Sequence, residues 1–241
     1  MIELFNEDCM TVMARYPDKF FNLAIVDPPY GLGENKGQHK SRNANRIDRR
    51  NGKPIVMNHP GYAVKDWDDK IPDKAYFNEL FRVSKNQIIF GGNYFVEHLY
   101  ASPCWIVWDK VNGESDFADC ELAWTSFKTA VRQIEFMWCG FIQGKSIYEG
   151  RTAQGNKELC ESRIHPTQKP VKLYEWILKN YANAGDKIID THLGGGSIAI
   201  ACNGLGYDLT AAEIDAEYFE TAKGRLTEHQ RQMQMFVGIE S

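Results

Sequence analysis

The tetrapeptide Asp27-Pro28-Pro29-Tyr30 follows directly on the apolar run Leu23-Ala24-Ile25-Val26. Two consecutive prolines cannot continue a central strand, so the chain must turn out of the sheet there. This sets a carboxylate, a rigid backbone carbonyl and an aromatic ring at the C-terminal edge of a sheet, where open α/β sheets bind ligands. The set suits an exocyclic amine on a nucleobase, which is a poor nucleophile because its lone pair is delocalised into the ring. Asp27 can accept one N–H and the Pro28 carbonyl the other, favouring a pyramidal nitrogen whose lone pair is aimed at an electrophile. Tyr30 can stack on a base drawn out of its helix. Taken alone, the string also reads as a rigid turn carrying a surface tyrosine.

A second string, Asp190-Thr191-His192-Leu193-Gly194-Gly195-Gly196-Ser197, lies between Lys187-Ile188-Ile189 and the small apolar run Ile198-Ala199-Ile200-Ala201. Strand, glycine turn and helix in that order let a nucleotide approach the backbone. Glu213 follows Asp190 by 23 residues, a spacing that suits a contact to ribose hydroxyls. The glycines also fit G-x-G-x-x-A ending at Ala199, so a dinucleotide cofactor stays open. A third string, His165-Pro166-Thr167-Gln168-Lys169-Pro170, leads into an amphipathic run. Pro170 can open that helix at its first turn, with Thr167 and Lys169 beside its start, suited to a carboxylate or a base-pair edge. It reads equally as a loop with a helix cap.

Alternating short elements must hold these strings. Strands are expected at 22–27, 87–91, 105–109, 121–125, 133–138, 187–190 and 207–213, and helices at 9–16, 74–83, 94–100, 171–181, 197–203 and 216–229. Several strands are wholly apolar runs, the pattern of a sheet covered on both faces, and the alternation favours an α/β fold. Two stretches break it. In 34–65, Lys36, Lys40, Arg42, Arg46, Arg49, Arg50 and Lys53 face Asp48 as the one acid between them, and 143–163 is rich in Gly, Lys and polar residues. Long loops inside a compact domain are commonly functional or disordered. Neither stretch reads as a separate domain, so one domain over 1–241 is expected.

Composition narrows the class. The chain has 241 residues, 28 Lys plus Arg against 32 Asp plus Glu, and 43 % hydrophobic residues. A net charge of −4 argues against coating nucleic acid by bulk charge, while leaving room for a local basic surface. No run of eighteen apolar residues occurs, and the acidic start Met1-Ile2-Glu3-Leu4 lacks the apolar core of a signal peptide. The six cysteines are scattered without C-x-x-C spacing, so neither zinc nor a disulfide scaffold is expected, and reduced thiols in cytoplasm are the plain reading. Pro103-Cys104 enters an apolar strand and reads as packing, as do Trp105, Trp108, Trp124 and Trp138.

Together the three strings resemble the amino-group DNA methyltransferases that use S-adenosylmethionine, in the β-class order with D-P-P-Y near the N-terminus and the cofactor glycines near the C-terminus. The resemblance covers nearly the whole chain and includes Asp8, Trp67-Asp68, Phe90-Gly91-Gly92-Asn93-Tyr94, Trp105 to Lys110, Phe117 to Trp124, and Glu213-Ile214-Asp215 with Tyr218. It implies a Rossmann-like methyltransferase fold, a mostly parallel seven-stranded sheet with helices on both faces, in circularly permuted motif order. Asp27, Pro28, Pro29 and Tyr30 would form the catalytic turn. Asp190, Gly194 and Gly196 would form the cofactor turn, Glu213 would hold the ribose, Asp8 would contact the cofactor adenine, and Thr167 and Lys169 would flank the methionine end. The family turn usually reads D-P-F-x-G-S/G-G, and here Thr191 and His192 replace the Pro and Phe.

The implied reaction is direct in-line displacement at the sulfonium methyl, with no metal and no covalent enzyme intermediate; the protein supplies position and electrostatics. D-P-P-Y resembles adenine N-6 enzymes more than cytosine N-4 enzymes, and both stay in view. So does a DNA-binding module whose cofactor site is degraded at His192. The implied partner is double-stranded DNA, with Lys36, Lys40, Arg42, Arg46, Arg49 and Arg50 on its phosphates and 34–65 or 143–163 reading the target. The resemblance also admits a homodimer and a bacterial or phage-infected host, and it calls for no membrane.

Overall fold

The computed structural model describes residues 1–32, 46–47, 54–55, 70–111, 118–139, 142–146, 150–152, 161, 164–165 and 167–237. In chain order the strands are β1 (Ile2–Phe5), β2 (Phe21–Val26), β3 (Arg46–Ile47), β4 (Pro54–Ile55), β5 (Ser84–Phe90), β6 (Trp105–Asp109), β7 (Cys120–Thr125), β8 (Arg132–Glu135), β9 (Trp138–Cys139), β10 (Ile142–Ser146), β11 (Gly150–Thr152), β12 (Lys187–Asp190) and β13 (Asp208–Ala212). The helices are α1 (Cys9–Met13), α2 (Lys74–Val83), α3 (Val171–Tyr181), α4 (Ser197–Leu205) and α5 (Ala216–Val237). Contacts divide the chain into two units, Met1–Pro28 with Pro72–Ser241, and Pro29–Ile71.

The first unit is built on an eight-stranded sheet in the order β1-β13-β12-β2-β5-β7-β6-β8. Strand β7 runs against both neighbours, and all other pairings are parallel. All seven expected strands have counterparts, but the one expected at 133–138 ends at Glu135 as β8, and Trp138 begins β9 of a separate sheet. The eighth, β1, pairs Ile2–Phe5 with Leu209–Ala212; four residues of mixed polarity carry too little pattern to be seen in the sequence.

Alternation along the strands sends side chains to two cores. Leu23 and Ile25 of β2, Ile88 and Phe90 of β5, and Ile188 of β12 pack with Leu173 and Ile177 of α3, Ile198 and Ala201 of α4, and Ala222 and Leu226 of α5. The residues between them, Ala24, Val26 and Ile89, are equally buried and point to the opposite face, where α1 and α2 contact each other and α2 lies on β5. Helices thus cover both faces. Helix α2 is secured by Asp73, which accepts the Tyr76 N–H at 3.1 Å, and it buries Tyr76, Phe77, Leu80 and Val83.

Two expectations change. The helix expected at 94–100 is instead a 3₁₀ turn over Gly92–Tyr94 followed by irregular turns. Phe95 is fully buried there, but Val96 and Tyr100 are exposed, so no apolar stripe holds a helix. Pro170 stands just outside α3 as its N-cap, not within its first turn. Within 143–163, β10 and β11 pair antiparallel and β9 completes a three-stranded sheet. In the second unit β3 pairs antiparallel with β4.

Candidate active site

Parallel strands deliver their following loops to one edge. Asp8 follows β1, Asp27 follows β2, Lys110 follows β6, Asp190 ends β12 and Glu213 follows β13. Because β7 runs the other way, its first residues, Cys120 and Glu121, lie at this same edge, with Glu121 opposite Trp108 and Cys120 opposite Asp109.

Lys169 joins two of these acids. Its Nζ donates to Asp27 Oδ2 at 2.5 Å and stands 3.2 Å from Glu121 Oε2, with the Phe90 ring centroid 4.6 Å away. Lys110 Nζ reaches the other oxygen of Glu121 at 2.5 Å. The side chain of Lys169 is 3 % exposed, so its charge is held by these carboxylates and not by water. Burial works to discharge it, but Asp27 and Glu121 outweigh burial and raise its pKa. Burial likewise works to protonate Glu121, and Lys169 and Lys110 overcome it, bringing the carboxyl down to about 2.

The glycine turn is closed by its own neighbours. Gly194 and Gly196 take positive φ of 50° and 73°, the left-handed region open to glycine. A Cβ at Gly196 would lie 2.9 Å from that of Ala222 on α5, and one at Gly195 would lie 2.8 Å from Gln168 Oε1. Glu213 accepts the Gly194 N–H at 2.8 Å and the Asp215 N–H at 2.9 Å, one on each oxygen; a carboxylate oxygen has two lone pairs and can accept more than one donor. Arg225 donates to the Gly195 carbonyl at 2.6 Å, to Ser197 Oγ at 3.0 Å and to Glu161 at 2.9 Å. Asp190 is buried, and burial pushes its carboxyl up to about 8, with Asp27 and Glu213 adding to the rise against the His192 N–H that it accepts at 3.0 Å.

Thr191 and His192 have a local explanation. The Thr191 hydroxyl lies 2.7 Å from the buried Tyr76 hydroxyl and 2.9 Å from His192 Nδ1, and the His192 ring meets Tyr76 edge-on at 5.5 Å. Burial brings His192 down to about 4, so the imidazole is neutral near pH 7.

The remaining expected residues fall as follows. Asp8 caps α1, accepting the N–H groups of Met10 and Thr11 at 3.0 and 3.2 Å. Thr167 Oγ1 is 3.2 Å from His165 Nδ1, and the His165 ring packs edge-on to Tyr218 at 4.3 Å. Pro28 is buried beside Asp27, while Pro29 and Tyr30 open the second unit. Lys36, Lys40, Arg42, Arg49, Arg50 and the side chain of Arg46 lie outside the described residues, as do most of the two candidate DNA-binding loops. Cys104 is buried against Thr129 and Tyr181, as packing requires, whereas Cys120 is exposed. Sequence reasoning missed Lys110, Glu121, Tyr76 and Arg225; a charged residue set at the tip of an otherwise apolar strand pair was the available signal for the first two. Among the described residues no group of His, Cys, Asp and Glu could hold a metal ion, and no helix is long and apolar enough to cross a membrane.

The profile of the N6_N4_Mtase family, DNA methylase, matches residues 104–224. The type II methyltransferase M.HpaI of Haemophilus parainfluenzae is 40 % identical over 252 residues, covering 92 % of this chain and 73 % of its own. Among solved structures, the M1.HpyAVI–SAM complex is similar at a TM-score of 0.52 and 20 % identity, covering 93 % of this chain and 100 % of that one. The PvuII DNA methyltransferase (cytosine-N4-specific) is similar at a TM-score of 0.53 and 11 % identity, covering 96 % and 92 %. The eight-stranded, mostly parallel sheet is thus a methyltransferase fold.

Proposed function

The chain belongs to the N6_N4_Mtase family of DNA methylases, and from that premise we propose that it transfers the methyl group of S-adenosylmethionine to the N-6 amine of adenine in double-stranded DNA. The observation that carries this reading is Asp27, at the C-terminal edge of the sheet, held by the buried ammonium of Lys169 and followed by Pro28-Pro29-Tyr30. S-adenosylmethionine, when bound, supplies an already activated methyl group on a sulfonium. The residues present fit such a molecule. At Gly194 no atom lies nearer than 3.9 Å to where a Cβ would stand, so bare backbone is left at the turn, Glu213 offers carboxylate oxygens to hydroxyls, and Asp8 and Glu213 follow β1 and β13 at the same sheet edge, where carboxylates suit a cation.

Asp27 and the Pro28 carbonyl each accept one N–H of the target amine, and Tyr30 stacks on the extruded base. Positive charge grows on that nitrogen as its bond to carbon forms, and the Asp27 carboxylate stabilises it. Lys169 fixes the other face of the carboxylate and is too strongly held as an ammonium to act as the base itself. The proton leaves the methylated amine through Asp27 or to water.

Cytosine N-4 is the second reading. An exocyclic amine there presents the same two N–H groups, and the cytosine-N4-specific PvuII enzyme shares the fold. The test is to incubate labelled S-adenosylmethionine and unmethylated DNA with the wild type and with Asp27→Ala, then digest the DNA and identify the methylated nucleoside by mass spectrometry. N-6-methyladenine from the wild type and none from the variant is the expected result. N-4-methylcytosine would move the substrate and keep the mechanism. No transfer despite donor binding would overturn the DNA reading.

A further inference from the structure

We propose that Glu121 is a positioning residue for methyl transfer, acting through Lys169 on Asp27, with Lys110 fixing Glu121 from the far side; this rests on the functional reading above. The four groups form one chain of alternating charge, Asp27–Lys169–Glu121–Lys110, with spacings of 2.5, 3.2 and 2.5 Å. The chain links the turn after β2, the segment before α3, the start of β7 and the turn after β6. Nothing local joins these positions; 94 residues separate Asp27 from Glu121.

The arrangement is costly unless it is used. Lys169 is buried, and an ammonium out of water needs more than one carboxylate to stay charged. Asp27 cannot serve as its whole counter-charge and also stabilise charge growing on an amine. A second carboxylate resolves the conflict, because Glu121 carries the ammonium jointly and leaves Asp27 charge to spend on the substrate. Glu121 would in turn overbind Lys169 and pull it off Asp27 if it stood alone. Lys110, 5.3 Å from the Trp108 ring centroid, occupies its other oxygen and keeps the two ends in balance. Among the described residues, the other ionisable groups that interact with Asp27 include Asp190 from β12, Tyr174 from α3 and Tyr76 from α2. Burial first holds both tyrosines protonated, with the neighbouring carboxylates next for Tyr174, and Cys9 before the carboxylates for Tyr76. They therefore cannot supply the second negative charge.

With Glu121→Gln the shape and one acceptor oxygen remain, while the charge and the second acceptor go. Lys169 then keeps one carboxylate in place of two, and its proton is lost at lower pH. An opposite charge at this range is worth about 1–3 pH units. The test measures single-turnover methyl transfer against pH at saturating donor and DNA, with donor and DNA dissociation constants determined separately. The expected result is dissociation constants within about twofold of wild type, a transfer rate reduced at least about tenfold, and an alkaline fall in rate beginning about one pH unit lower. A Glu121→Gln enzyme with wild-type rate and pH profile would overturn the inference. So would a variant whose rate loss is wholly restored by raising the donor concentration, since that marks a binding defect. Should Glu121→Gln fail to fold, Lys110→Met leaves Asp27, Lys169 and Glu121 in place and is expected to reduce the rate with unchanged donor affinity; a wild-type rate in that variant overturns the inference as well. The wild-type control separates the two levels. Transfer by the wild type to either nucleobase amine, with indifferent variants, sinks this inference alone. A wild type that transfers nothing sinks the functional reading and this inference with it.

Discussion

At the residue scale the candidate site places titratable groups where their charge states are set by burial. Asp190 rises from 3.8 to about 8. Between those values the folded chain holds a proton that the unfolded chain has lost, so this group's contribution to stability is full at low pH and is lost as pH rises towards 8. His192 behaves oppositely. Its folded value near 4 lies below 6.5, so its contribution is full above 6.5 and is lost as pH falls towards 4. Asp190→Asn keeps an acceptor for the His192 N–H and removes the carboxyl. The expected result is a donor-free protein that melts higher than wild type between pH 6 and 8, with a flatter pH dependence and weaker donor binding. Melting temperature against pH, with donor titrations alongside, checks both halves. Thr191→Val tests the other departure. It leaves the buried Tyr76 hydroxyl without the partner it holds at 2.7 Å, at a cost of about 1–3 kcal/mol. The melting temperature should fall by several degrees, and an unchanged value would show that Thr191 does not serve Tyr76.

At the scale of elements, α5 is the clamp on the glycine turn. Ala222 packs against Gly196 and Arg225 holds the Gly195 carbonyl, Ser197 and Glu161. Gly196→Ala must push α5 away or abandon its left-handed φ, and either outcome should abolish donor binding and lower the melting temperature. Arg225→Met removes the cation from Glu161, a carboxyl that burial already raises. The loss should be about 2–4 kcal/mol in chemical denaturation, because a half-buried carboxylate is left without its cation, with only the Val171 N–H, among the described residues, still donating to it, along with a freed carbonyl. Denaturation at the scale of a surface ion pair, below about 1 kcal/mol, would show the clamp to be ornamental.

At the scale of the whole molecule the net charge is −4, and a DNA enzyme of that balance must concentrate its positive charge. The sequence places it in 34–65. Neutralising Arg46, Arg49 and Arg50 together should weaken DNA binding and reduce the slope of log K against log salt by up to about 0.9 for each phosphate left without its cation. Equilibrium binding at several salt concentrations is the measurement, and an unchanged slope would remove this stretch from the interface.

Most elements and half of the candidate site were legible in the sequence, for a common reason. Strands β2, β5, β6, β7, β12 and β13 contain short apolar runs, helices α2, α3 and α4 carry apolar positions to bury and α2 its capping Asp73, and Asp27, Asp190, Glu213 and Lys169 each stand in a string of distinctive neighbours. All of these are local signals. The 3₁₀ turn at Gly92–Tyr94 and the edge strand β1 were not legible, because tertiary burial, and not propensity, decides segments so short. The partners in the site were beyond reach of any local pattern. Lys169 could be picked out, but not that it would neutralise Asp27; Glu121 and Lys110 stood in strings that carry the resemblance but drew no role of their own, and Arg225 looked like one more helix charge. A buried ion chain depends on which loops a parallel sheet brings to one edge, and on the single reversed strand β7 that carries Glu121 to that same edge.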